Sequence, residues 1–150
     1  MVPLVMLCTD GSDLAFDALA RGLQVVAIAD RVVVATVVEF VHPIDVVGTG
    51  VAGGVLSAQD AVRLDEESRR AGQEMLDETC SRLGVSDAET TVLDGSPGPA
   101  LCELAETLGA GVMVIGTRGR GGLRRAVLGS VSDHVVRNAP CPVVITRPPE

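Results

Sequence analysis

Residues 111–136 read GVMVIGTRGRGGLRRAVLGSVSDHVV, and their order decides the fold class. The first five, 111–115, form a continuous aliphatic run of strand length. Gly116, Gly119, Gly121 and Gly122 follow, and Gly129 with Ser130 opens a helical stretch over 130–137. A buried strand feeding a glycine-rich loop and then a helix is the building unit of α/β sheets. The glycines permit backbone conformations that gather several N–H groups around an anion. The helix start adds free N–H groups and a favourable dipole. Arg118, Arg120, Arg124 and Arg125 add positive field, and the first acid after Gly116 is Asp133. A polyphosphate suits this loop. On glycine content alone, a flexible hairpin with solvated arginines suits it equally.

The same strand–helix alternation extends in both directions. Residues 2–8 (VPLVMLC) are an apolar run ending in Thr9-Asp10-Gly11-Ser12, with Ser12 placed as an N-cap. Apolar positions Leu14, Ala18, Leu19, Gly22, Leu23, Val26 and Ala27 then recur at helical spacing. Residues 31–38 (RVVVATVV) predict a second strand. Residues 39–58 hold Pro43 and four glycines with no period, which predicts a long loop in a position open to a lid. A long amphipathic helix is expected over 59–83, a third strand over 89–93 and a helix over 99–108. A fifth strand is expected over 141–146, after the turn Asn138-Ala139-Pro140. Five strands and four helices in strict alternation predict one domain over residues 1–150, a doubly wound five-stranded parallel sheet with helices on both faces. Ligands in such sheets sit outside the carboxyl ends of the strands. The candidate positions are therefore Asp10, residues 37–39, residues 94–97, and Gly116 onward.

Composition agrees. Hydrophobic residues are 47% of the 150-residue chain and aromatics 1%, so the core is aliphatic, as a covered parallel sheet requires. The same composition suits a base-stacking nucleic-acid surface poorly. The net charge of −8 also disfavours nucleic acid and anionic membrane as partners. All 12 basic residues are Arg, which removes Schiff-base, P-loop-lysine and phosphorelay-receiver chemistry. Cys8, Cys80, Cys102 and Cys141 are scattered and read as small hydrophobes in a reduced compartment. The N-terminus turns polar too soon for a signal peptide, and no apolar run is long enough to span a bilayer. The expected location is the cytoplasm.

The spacing Gly116-x2-Gly119-x9-Gly129-Ser130, between an aliphatic strand and a helix, resembles the ATP-binding motif of the universal stress protein family. Thr9-Asp10-Gly11-Ser12 resembles that family's opening, and Asn138-Ala139-Pro140-Cys141-Pro142-Val143-Val144 resembles its final turn and strand. The resemblance covers nearly the whole chain. It implies a sheet of order 3-2-1-4-5 with Asp10 and Gly116 on either side of one crevice. It further implies that Thr9 and Asp10 lie by the adenosine and that the backbone of Val37 and Val38 borders the adenine. Gly116 and Gly119 would approach ribose and phosphates, flanked by Arg118 and Arg120, and Gly129, Ser130 and Val131 would hold the phosphates. The implied cofactor is ATP, with Mg2+ as a candidate ion and Asp10 its candidate ligand. The family commonly forms homodimers through the last strand, here Val143, Val144 and Ile145.

A binding and regulatory module is the preferred reading. A slow ATP hydrolase is the alternative, since the loop carries donors but no evident base or carboxylate set for fast turnover. A dimeric interaction module without nucleotide is the second alternative. Asp10 could instead cap its own turn through Ser12. Asp94 reads as a turn residue before Gly95. His42 falls in the long loop, and His134 on the last helix reads as a packing or surface residue.

Overall fold

Aliphatic runs rich in β-branched residues lie side by side as five parallel strands, β1 (Val2–Cys8), β2 (Ala29–Val38), β3 (Glu89–Asp94), β4 (Val112–Gly116) and β5 (Val143–Thr146). Between them run the helices α1 (Asp13–Val25), α2 (Ala58–Leu83), α3 (Pro97–Leu108) and α4 (Ser130–Asn138). The computed structural model describes residues 2–26, 29–38, 57–117 and 128–147. The sheet order is β3-β2-β1-β4-β5, so the chain reverses direction across the sheet between β1 and β4.

Alternation along the strands divides the core into two layers. Leu4, Met6, Cys8, Val33, Ala35, Met113 and Ile115 face one side, where Leu101, Ala105 and Val135 of α3 and α4 cover them. Val5, Leu7, Val34, Val112 and Val114 face the other, under Leu19 of α1 and Leu76 and Cys80 of α2. Ser12 caps α1 by accepting from the Ala15 amide at 3.1 Å, and Ser57 with Asp60 forms a capping box on α2.

The expected elements are present with shifted ends. β5 begins at Val143 rather than 141. Pro142 has no N–H to give the ladder, and its carbonyl accepts the Met113 amide at 3.0 Å just before the strand starts. α3 begins at Pro97, two residues earlier than read, because proline suits the first helical position. The long-loop reading of 39–58 falls mostly on residues 39–56, outside the described residues; Ser57 caps α2 and Ala58 is its first residue. His42 is likewise outside them.

One close approach fixes α1 on the sheet. A Cβ placed on Gly22 would collide with Cγ1 of Val114 and lie 3.7 Å from Cγ2 of Thr146. Nearby, Thr146 Oγ1 donates to the Ala18 carbonyl at 2.6 Å. Removing a mid-helix glycine ordinarily stabilises by about 1 kcal/mol. Here overpacking costs about 1–3 kcal/mol. Gly22→Ala is therefore expected to lower the urea unfolding midpoint, and a raised midpoint would contradict this packing.

Candidate functional site

The strand ends are brought level by the sheet register. Cys8 of β1 pairs with Ala35 of β2 and Ile115 of β4, and the Thr9 amide continues the ladder to the Ala35 carbonyl at 3.0 Å. The Thr9–Ser12 turn therefore leaves the sheet beside the last residue of β4, Gly116, as the sheet order that the resemblance implies requires. Strand order reverses between β1 and β4 at this point, the place where ligands of doubly wound sheets generally sit.

The turn after β1 is held by its own side chains. Thr9 Oγ1 accepts from the Gly11 amide at 3.1 Å. Asp10 Oδ1 accepts from the Ser12 amide at 3.0 Å and the Ser12 hydroxyl at 2.6 Å. Ser12 Oγ in turn accepts from Ala15, so Asp10 is fixed to the start of α1 through one serine. The turn-capping reading of Asp10 is thus realised. Gly11 turns at φ +78° beneath Met75 of α2.

On the neighbouring strand, β4 ends at Gly116 and the buried Thr117 follows. The Thr117 amide donates to the Thr146 carbonyl at 3.0 Å, extending the sheet by one bond. The Thr117 carbonyl accepts the Gly129 amide at 2.7 Å. Gly129 is the N-cap of α4, without a side-chain cap, and the Asp133 amide donates to its carbonyl at 2.8 Å. The amides of Ser130, Val131 and Ser132 precede the first intrahelical bond, so the helix start presents donors and a favourable dipole for an anion. A Cβ on Gly129 would stand 3.3 Å from the Thr117 carbonyl oxygen and 3.6 Å from Ser132 Oγ. Such a fit leaves little room for any larger residue.

Ser130 is exposed and Val131 half-buried at this helix start. Val37 and Val38 lie at the end of β2, with Val38 beside Asp94 of β3, and Gly72 of α2 rests on Val38 and Val92. Asp94 is exposed and precedes Gly95 at φ +100°, which fits its reading as a turn residue. His134 packs on Gly98 of α3, where an added Cβ would stand 2.7 Å from its Cγ, so its role is helix packing. Arg118, Gly119 and Arg120 lie outside the described residues.

The cysteines are poorly placed as nucleophiles. Burial pushes the Cys8 thiol far above the ordinary range, and burial also raises those of Cys80, Cys102 and Cys141. Among the described residues no group of three or more His, Cys, Asp and Glu is arranged to hold a metal ion. Among them also, no helix is long and apolar enough to cross a membrane.

Sequence reasoning missed Thr117 and Ser132. Ser132 is 2% exposed, and its hydroxyl lies 3.2 Å from the Thr117 carbonyl and 3.0 Å from the Gly129 carbonyl. A serine three places after a glycine at a helix start was the available signal, since such hydroxyls bond nearby carbonyls.

The sequence matches the family model for the universal stress protein family over residues 1–147. A universal stress protein of Methanocaldococcus jannaschii is 33% identical over 150 residues, covering 97% of this chain and 82% of the relative. Three solved structures share the fold. A hypothetical protein, solved as a test case of structural genomics, superposes with a TM-score of 0.78 at 18% identity, covering 100% of this chain and 99% of its own. A universal stress protein in complex with cAMP superposes with a TM-score of 0.63 at 26% identity, covering 97% of each chain. A universal stress protein family protein of Arabidopsis thaliana with AMP bound gives a TM-score of 0.60 at 16% identity, covering 97% of this chain and 92% of the other.

Proposed function

The chain belongs to the universal stress protein family, and on that premise we propose that it is a cytoplasmic regulatory module that binds ATP in the β1/β4 crevice. The observation that carries the proposal is the bond from the Gly129 amide to the Thr117 carbonyl at 2.7 Å. It brings the uncapped start of α4 to the end of β4, opposite the Asp10 turn. The cAMP and AMP in related structures make the adenine nucleotides the class of ligand to expect.

In this reading Gly129, Ser130 and Val131 donate to the phosphates, while Gly116 and Gly119 let the ribose and phosphates approach the backbone. Arg118 and Arg120 add positive field. Thr9 and Asp10 face the adenosine, and the backbone ends at Val37 and Val38 border the base. Mg2+ would accompany the phosphates, with Asp10 as its candidate ligand. Binding is favoured over rapid hydrolysis because the segment from Gly116 to Ser132 contains no acid to serve as a base. We also propose a homodimer through β5. That strand is a sheet edge, and Val143, Val144 and Ile145 along it are only half-buried.

A displacement series tests the ligand class. Labelled ATP on the wild-type protein is expected to be displaced by unlabelled ATP and by adenosine, and far less well by GTP. Displacement by GTP as effective as by ATP would overturn the adenine reading.

A further inference from the structure

Ser132 joins the two ends of the glycine-rich segment. The Thr117 carbonyl receives the Gly129 amide at 2.7 Å and has the Ser132 hydroxyl at 3.2 Å. The same hydroxyl reaches the Gly129 carbonyl at 3.0 Å, sharing its one proton between the two. Thr117 ends the strand side of the segment and Gly129 ends its helix side. Ser132 is 2% exposed and Thr117 3%, so the bond between them is buried and competes little with bulk water. Nothing else in the resemblance gives Ser132 a role, because the proposed phosphate donors stop at Val131.

We propose that Ser132 is a positioning residue for phosphate binding: through Thr117 and Gly129 it sets where the phosphate loop leaves the sheet and where it enters α4. The inference rests on the nucleotide reading above and deepens it. The Ser132 side chain does not touch the ligand. Its hydroxyl fixes the spacing between the end of β4 and the amides of Ser130 and Val131, so a tetrahedral phosphate meets donors already in place. Losing the hydroxyl leaves a buried carbonyl with one bond fewer and frees the helix start to shift. The consequence falls on phosphates and spares the base and sugar.

The test uses the full chain and three variants, with ATP and adenosine as probes. Ser132→Val and Ser132→Thr have the same shape and differ in the hydroxyl, so packing cancels between them; Ser132→Ala adds a smaller control. From the usual contribution of one hydrogen bond, Ser132→Val and Ser132→Ala are expected to bind ATP about five-fold more weakly than wild type. Ser132→Thr is expected to bind ATP several-fold more tightly than Ser132→Val, and all four proteins to bind adenosine alike. In the ligand-free protein, exchange of the Gly129 amide is expected to quicken in Ser132→Val and not in Ser132→Thr. Equal ATP affinity in the Val and Thr variants, or an equal loss for adenosine, would overturn the positioning role while leaving nucleotide binding intact. A wild-type protein that binds neither probe removes the nucleotide reading, and the positioning role falls with it.

Discussion

Gly129→Val is expected to weaken ATP binding by about 100-fold while the protein stays folded. The added Cβ alone would sit 3.3 Å from the Thr117 carbonyl oxygen and 3.6 Å from Ser132 Oγ, before its two methyl groups are added. Neither neighbour yields easily. The Thr117 carbonyl belongs to backbone whose amide is tied to Thr146, and Ser132 is buried. The strain is relieved by moving the start of α4 away from β4, which lengthens the 2.7 Å bond from Gly129 and carries the Ser130 and Val131 amides out of register. The fold survives because Gly129 belongs to neither core layer. Dissociation constants for ATP, with urea unfolding of the same samples, check this. Unchanged affinity with the fold intact would mean that the helix start is not the phosphate site.

Leu76→Ala is expected to cost about 2–5 kcal/mol of stability. Leu76 is wholly buried in the layer between α2 and the sheet, against Val5, Leu7, Leu19 and Val34. The buried members of that layer are Val, Leu and Cys, so no ring within it can swing into the cavity. For a domain of this size the loss corresponds to a fall in Tm of roughly 5–15 °C. Saturating ATP at 100 times its Kd would restore about 2.7 kcal/mol, since the ligand binds only the folded state. Calorimetry with and without ATP reads both effects. A Tm within 2 °C of wild type, an approximate threshold set by the same scaling, would contradict the packing described for α2.

The strands were legible because a parallel sheet covered on both faces demands continuous aliphatic runs, and runs such as VPLVMLC and RVVVATVV occur where strands form. Ends were less legible. Pro142 looked like part of a strand by hydropathy, yet only its carbonyl enters the ladder. Pro97 looked like a turn residue and is the first residue of α3. Within the candidate site, Gly129 and Ser130 could be found because their spacing from Gly116 lies along the chain. The Asp10–Ser12 contact was legible for the same reason, being two residues apart. The bond from Ser132 to Thr117 spans 15 residues and exists only once the helix start has folded back on β4. No local pattern encodes that return. Asp94 and His134 show the reverse case, in which residues able to carry chemistry are used for a turn and for helix packing.

On the proposed reading, the β1/β4 crevice holds ATP. Equilibrium dialysis of nucleotide-stripped protein against labelled ATP, with and without Mg2+, tests it most directly. Saturable binding of one ATP per chain, weakened in Gly129→Val, is the predicted result; no detectable binding at millimolar ATP would contradict it.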